Sequence, residues 1–146
     1  MTVKFIKLNE NAVIPTYGTP CSAGADLYAL PEGDIVVKAG ETVLVHTGIA
    51  LEIPQGYGGF IFARSGIATK RGLAPANKVG VIDSDYRGEI KVALHNHNGE
   101  GDALLVEAGE RIAQISIVPY LKAEFELTDE LEETDRGDKG FGSTGK

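Results

Sequence analysis

The stretch DIVVKAGETVLVHTGIALEIP, residues Asp34–Pro54, decides the fold that the sequence predicts. Its β-branched residues lie on both sides of a Lys-Ala-Gly turn, and this pattern predicts two β-strands. Similar patterns occur in VKFIKL from Val3, GYGGFIFAR from Gly56, GEIKVALHN from Gly88 and ALLVEAGERIAQISIVPYL from Ala103, the last as a strand pair around Gly109. Turn signals that return at roughly ten-residue intervals are typical of an all-β sandwich or barrel.

Two stretches do not fit a strand. SGIATKRG predicts a short helix between Ser65 and Gly72, with Ser65 as its N-cap. LTDELEETD, from Leu127, is acidic and predicts a solvated connector that leads into a glycine-rich tail. We therefore predict one β domain over residues 1–131 and a flexible C-terminal lid over residues 132–146.

Composition and charge exclude several classes of protein. The 146 residues suffice for one domain with a core, and the 19 glycines indicate many turns. A net charge of −7 disfavours a basic face for duplex nucleic acid. Cys21 is the single cysteine, so no intrachain disulfide can form. The first residues lack a signal-peptide core, and no apolar run has the length of a membrane span. We expect a soluble cytoplasmic protein that binds neither nucleic acid nor membrane.

The tail RGDKGFGSTGK contains G-x-x-x-x-G-K, most of a P-loop. A P-loop needs a following helix and a hydroxyl residue after the lysine, and neither follows Lys146. A disordered terminus is the plain alternative. However, Arg136 can bind phosphate oxygens, Ser143 and Thr144 supply hydroxyl donors, and Phe141 can stack on a base. The residues favour a mobile flap that becomes ordered over a nucleotide.

Four further clusters each allow a structural and a functional interpretation. Asp26 in SAGADLYAL starts a strand or belongs to a turn. Arg64 in ARSG lies at a strand-to-helix corner that suits an anion, or at an ordinary helix start. In NKVGVIDSDYRGEI, Asp83 can sit at a pocket mouth, and Tyr86 is a flat wall or a core aromatic. Gln114 lies in an apolar strand, where its amide needs a partner in the core or in a ligand.

Taken together and in this order, the clusters resemble the five motifs of the trimeric deoxyuridine triphosphatases (dUTPases). The motifs are A-G-x-D-L at Ala23–Leu27, R-S-G at Arg64–Gly66, G-x-I-D-x-D-Y-R-G at Gly80–Gly88, R-x-A-Q at Arg111–Gln114 and R-G-x-x-G-F-G-S-T-G at Arg136–Gly145. The resemblance covers essentially the whole chain. One departure is Ala63, where the family often has proline before R-S-G.

The resemblance implies a jelly-roll fold, a homotrimer with sites at subunit interfaces, and Mg²⁺-dependent hydrolysis of dUTP to dUMP and pyrophosphate. It implies that Asp83 activates the water that attacks the α-phosphorus and that Asp26 reaches Mg²⁺ through a coordinated water. The implied substrate-binding residues are Arg64, Ser65, Gly66, Asn77, Val81, Ile82, Tyr86, Lys91, Gln114, Arg136, Phe141, Gly142, Ser143 and Thr144.

Among these residues, Arg64, Ser65 and Gly66 resemble a phosphate-gripping set, and Gln114 would donate to the α-phosphate. A family β-hairpin at Asn77 and Val81–Asp83 would recognise uracil, with Tyr86 under the deoxyribose and Phe141 stacked on the base. Arg136, Ser143 and Thr144 would hold the γ-phosphate.

Two other interpretations stay open at this point. A dCTP deaminase shares the fold and the triphosphate grip, although the D-x-D-Y-R-G pattern and the complete final motif argue against it. A β-sandwich binding or regulatory module without turnover is the other alternative, and the intact Asp26 and Asp83 argue against that one.

Overall fold

The computed structural model describes residues 1–30, 32–99, 101 and 103–140. Within them, the chain forms one helix, α1 (Ser65–Arg71), and strands β1 (Lys4–Lys7), β2 (Thr16–Tyr17), β3 (Ala25–Tyr28), β4 (Ile35–Val37), β5 (Thr42–His46), β6 (Ile49–Glu52), β7 (Tyr57–Ala63), β8 (Leu73–Pro75), β9 (Gly80–Ile82), β10 (Lys91–Asn96), β11 (Leu104–Val106) and β12 (Arg111–Pro119). The predicted all-β class with one short helix is confirmed.

The strands form four open sheets in which every pair is antiparallel. The largest has the order β2-β3-β12-β7-β9, and the second has the order β5-β10-β8. Two strand pairs, β1-β6 and β11-β4, complete the set. Over the described residues no sheet closes into a barrel, so the sandwich alternative is the correct one.

Most strands that are consecutive in sequence do not pair with each other but with strands farther along the chain. The stretch Asp34–Pro54 holds three strands rather than two, because the chain turns at Gly48, whose φ is 70°. Of these three, β4 pairs with β11, β5 with β10 and β6 with β1. Likewise β11 and β12, on either side of Gly109, pair with other strands. In the described chain, β2 and β3 are the sole consecutive strands that pair with each other.

One hydrophobic core joins the four sheets. On several strands alternating residues point inward, as Ala25 and Leu27 do on β3 and Val92 and Leu94 on β10. The cluster also includes Val37, Ile49, Leu51, Ile61, Leu73, Val106, Ile112 and Ile115. Burial of these side chains fixes which face of each strand points outward, and so fixes where the polar residues of the motifs lie.

Helix α1 differs from the prediction at its N-terminus. The N-cap is Arg64, with an extended backbone (φ −83°, ψ 125°) and no side-chain cap hydrogen bond. Ser65 is the first helical residue, so the prediction of Ser65 as cap is wrong. The helix ends at Gly72, whose left-handed φ of 68° is a common helix terminator.

Beyond β12, residues 120–140 contain no helix or strand, and nearly all of them are exposed. The acidic connector lies in this segment. None of the described helices has the length and hydropathy that a membrane span requires.

Candidate active site

One group of predicted residues lies on the outer face of the five-stranded sheet. Asp26 on β3 is directly opposite Gln114 on β12, so both side chains share that face. The Asp26 carboxylate is 13% exposed and accepts hydrogen bonds from Arg64 Nε at 2.7 Å and from Arg111 Nη1 at 3.3 Å. A guanidinium therefore holds each of its oxygens, and Asp26 fixes the direction in which Arg64 points.

A β-bulge in β12 brings Arg111 to the same face as Gln114. Residues three apart on a regular strand point to opposite faces. The register of β12 against β3 shifts between Arg111 and Ala113, and Ile112 and Ala113 are both buried in succession. The extra residue restores Arg111 to the outer face, where it contacts Asp26.

The amide of Gln114 is held on both sides. Its Nε2 donates to the Ala63 carbonyl at 3.0 Å. Its Oε1 lies against Gly24, where a Cβ would approach to 3.0 Å. An amide nitrogen has two N–H groups. The contact to Ala63 uses one of them, so Gln114 is anchored to the protein and keeps a donor for a ligand.

The first turn of α1 adds backbone donors beside Arg64. Ser65 and Gly66 are exposed, and a Cβ on Gly66 would meet nothing within 4 Å. The first N–H groups of a helix have no acceptor within that helix. Together with Arg64, they form a corner that suits an anionic group.

A second group of predicted residues surrounds one cleft of about 320 Å³. Its lining consists of Leu44, Val81, Ile82, Asp83, Tyr86, Glu89 and Lys91. Asp83 follows the end of β9 and is exposed, and Lys91 is the first residue of β10. An exposed carboxylate, a flat aromatic ring and apolar walls fit a ligand that has both a ring and a polar part.

Tyr86 is fixed at its phenolic end. Its O–H donates to the Glu89 carbonyl at 3.1 Å. The ring lies so close to Gly88 that a Cβ there would come within 2.6 Å of Tyr86 Cζ. The interpretation of Tyr86 as a core aromatic is wrong, since 44% of the residue is exposed.

Asn77 is exposed in the tight turn that connects β8 to β9. The Val79 N–H donates to the Asn77 carbonyl at 2.7 Å, and Lys78 adopts a φ of 65°. The two strands that flank this turn do not pair with each other in this chain, because β8 pairs with β10 and β9 with β7. The turn therefore connects two sheets.

The two groups lie far apart on one chain. Ile82 is opposite Gly59 in the β7–β9 ladder, so Asp83 adjoins Gly58 near the start of β7. Arg64 follows the other end of β7, six positions beyond Gly58. At about 3.3 Å per residue, roughly 20 Å separates them along the strand. A single chain does not bring Asp83 to the anion corner at Arg64.

The predicted tail residues lie mostly outside the described residues, including Phe141, Gly142, Ser143 and Thr144. Arg136 is exposed, and its Nε donates to the Lys139 carbonyl at 3.0 Å.

Two charged residues of these groups had no predicted role. Arg111 lies within a quoted motif, but its distance from Asp26 depends on the bulge. Glu89 follows the third motif directly, and no sequence signal distinguishes it from a surface acid.

The fold and the site define a class of all-β proteins that have an anion-binding corner, here at Arg64, and a separate cleft with an exposed aspartate, here Asp83. A sequence model of the dUTPase family matches residues 10–145. The chain belongs to the dUTPase family.

Sequence similarity to known relatives extends over the whole length of the chain. The deoxyuridine 5'-triphosphate nucleotidohydrolase of Nautilia profundicola is 49% identical over 146 residues, which cover 100% of both chains. That of Syntrophotalea carbinolica is 47% identical over 145 residues, covering 99% of this chain and 97% of the relative. The fold is similar to a variant dUTPase of Staphylococcus bacteriophage 80alpha, solved with dUpNHpp. Its TM-score is 0.86 at 29% identity, over 99% of this chain and 98% of the phage chain.

Proposed function

We propose that this protein hydrolyses dUTP to dUMP and pyrophosphate by attack of water on the α-phosphorus. Such a reaction keeps uracil out of DNA and supplies dUMP for thymidylate synthesis. One observation carries the proposal: the family match extends over residues 10–145, a range that contains all five motifs. The exposure of Asp83 and of the Arg64 corner supports it.

In this proposal Asp83 holds and deprotonates the attacking water. Arg64, the N–H groups at Ser65 and Gly66, and the free donor of Gln114 bind the phosphate chain. Hydrolysis of a phosphate chain depends mainly on such positioning and on charge stabilisation.

Base and sugar would be selected at the cleft. Backbone groups around Asn77, Val81 and Ile82 would pair with uracil and leave no room for a 5-methyl group. Tyr86 would exclude a ribose 2′-hydroxyl, and Lys91 would line the same cleft. A base with the opposite donor and acceptor pattern leaves buried groups unpaired, which gives strong discrimination.

The residues fit Mg²⁺ as an ion that arrives with the substrate. Among the described residues, no group of three His, Cys, Asp or Glu side chains could hold a metal ion by itself. Mg²⁺ typically keeps several waters and binds phosphates with one or two carboxylates. Asp26, whose oxygens already face two arginines, would contact it through water. The bound ion would offset the negative charge of the triphosphate.

We further propose that the active site forms between subunits of a homotrimer. Its support is the separation of Asp83 from Arg64, which leaves each chain with two incomplete parts. A second support is the segment after β12. Its large apolar residues are almost fully exposed, at 99% for Leu121, 95% for Phe125 and 98% for Leu127. Such side chains are expected to be covered by another chain.

The proposal also divides the chain as the sequence predicts, into a domain over residues 1–131 and a lid over residues 132–146. The lid would contribute Arg136, Phe141, Gly142, Ser143 and Thr144 to base and γ-phosphate. We place the reaction in the cytoplasm, where deoxynucleotides are made and used.

The test is a product assay on purified protein with Mg²⁺ and each of dUTP, dTTP, dCTP and UTP. We expect dUMP and pyrophosphate from dUTP and little turnover of the others. Orthophosphate as the direct product, or ammonia released from dCTP, would contradict the proposal. Tight dUTP binding without turnover would favour a binding module.

A further inference from the structure

We propose that Glu89 is a positioning residue for sugar selection, because it ties the loop that carries Tyr86 to the body of the domain. The inference rests on the proposed function. It assigns Glu89 no contact with the substrate and no part in the chemical step.

Both carboxylate oxygens of Glu89 have partners on neighbouring residues, although the side chain is 16% exposed and lines the cleft. Its Oε1 accepts the Gly48 N–H at 2.9 Å, and its Oε2 lies 2.8 Å from His46 Nδ1 and 3.7 Å from Lys91 Nζ. Partial burial raises the pKa of Glu89, while Gly48, His46 and Lys91 lower it, and the balance leaves that pKa below its ordinary value. The side chain is therefore a stable anionic anchor at neutral pH.

The anchor point at Gly48 cannot move easily. A Cβ at Gly48 would lie 2.8 Å from Leu30 Cδ1 and 2.9 Å from Ala12 Cβ. The Gly48 carbonyl accepts the Leu8 N–H at 2.7 Å. The backbone at Gly48 is thus closely packed against side chains and hydrogen-bonded to Leu8.

The loop between β9 and Glu89 has few other ties. Arg87 Nη1 donates to the carbonyls of Ser84 and Tyr86, and the Tyr86 N–H donates to the Asp83 carbonyl. These bonds fix the conformation of the loop but not its position relative to the rest of the domain. In the described part of the chain, two hydrogen bonds leave residues 84–88: the Tyr86 N–H donates to the Asp83 carbonyl, and the Tyr86 O–H donates to the Glu89 carbonyl. The Glu89 carbonyl belongs to the peptide of Ile90, whose N–H donates to the Ile49 carbonyl at 2.8 Å, and the contact of the Glu89 carboxylate with Gly48 is a second tie between this peptide and the domain.

The readout is the ratio of kcat/KM for dUTP to kcat/KM for UTP. Phosphate contacts are common to both nucleotides, so damage to the anion corner leaves this ratio unchanged. Displacement of Tyr86 changes it. For Glu89→Ala we expect the ratio to fall roughly threefold to tenfold, the scale of one net hydrogen bond.

Two further variants separate the effect of side-chain length from the effect of charge. Glu89→Gln keeps an acceptor for the Gly48 N–H and is expected to retain most of the discrimination. Glu89→Asp keeps the charge but is one methylene shorter, so it is expected to lose discrimination as Glu89→Ala does. If Glu89→Ala does not fold, the Asp and Gln pair carries the test.

Glu110→Ala is the matched control. The Glu110 carboxylate is 20% exposed against 16% for Glu89, accepts the Glu107 N–H at 3.1 Å and pairs with Arg71. We expect it to lower stability without changing the dUTP-to-UTP ratio. A double-mutant cycle between Glu89→Ala and Tyr86→Phe should be non-additive, because Glu89→Ala is expected to displace the backbone carbonyl to which the Tyr86 O–H donates.

An unchanged ratio in Glu89→Asp and Glu89→Ala, an equal fall in Glu110→Ala, or additive effects in the cycle would overturn the proposal. Absence of dUTP hydrolysis by the wild-type protein would instead overturn the proposed function, and the wild-type arm of the experiment shows this separately.

Discussion

At the scale of single residues, the exposure of Asp83 makes a clean test of its role. Asp83→Asn keeps the size of the side chain and removes the base. No described contact of the core involves its carboxylate, so we expect normal folding and near-normal binding of a non-hydrolysable dUTP analogue. Turnover should fall by about two to four orders of magnitude, the scale of lost general-base catalysis. Single-turnover kinetics and calorimetric titration measure both quantities, and a variant with half the wild-type activity would exclude Asp83 from the mechanism.

The sequence predicts candidate residues for the site, but it does not predict the contacts between them. Asp83 and Tyr86 belong to one motif, and the structure places both of them around one cleft together with Lys91. The pairing of Asp26 with Arg64 and Arg111 depends on the sheet register and on the bulge, which no local pattern encodes. Ser65 has a good capping side chain, yet it lies one position too late to cap α1.

At the scale of elements, the described part of the lid can be removed without loss of tertiary contacts. For residues 136–140 the hydrogen bonds are local, from Gly137 to Thr134 and between Arg136 and Lys139. A chain that stops before Arg136 should therefore keep its free energy of unfolding within about 0.5 kcal/mol. Loss of the phosphate donors should lower kcat by about two orders of magnitude. Denaturant unfolding tests the expected stability, and steady-state kinetics tests the expected loss of kcat. A truncated chain that stays active would show that the last motif has no part in turnover.

The elements themselves were more predictable than their partners. Alternation and glycine positions indicated most strands and the helix end at Gly72. Pairing was not predictable, because hydrophobic burial selects the strand face while the neighbour depends on contacts far along the chain. The stretch from Asp34 shows this: its three strands belong to three different sheets.

At the scale of the whole molecule, the separation of Asp83 from Arg64 predicts rescue between chains. Asp83→Asn and Arg64→Ala chains should each be nearly inactive alone. After subunit exchange, some sites combine an intact Asp83 from one chain with an intact Arg64 from another. With equal, random mixing about one quarter of the sites are intact. The activity recovered after mixing measures the fraction of intact sites. If native mass spectrometry confirms that hybrid trimers form and they remain inactive, both residues of a site lie on one chain.

The order of strands in the largest sheet has a consequence for how the protein is made. β12 lies between β3 and β7, yet it is the last strand of the described chain. During synthesis, β3 and β7 leave the ribosome long before the strand that joins them. The sheet therefore cannot be completed until residue 119 has emerged. Nascent chains that stop earlier expose the edges of β3 and β7 that β12 would cover. Ribosome-bound chains that end before Arg111 should accordingly be protease-sensitive and recruit chaperones, whereas chains that expose all of β12 should resist digestion.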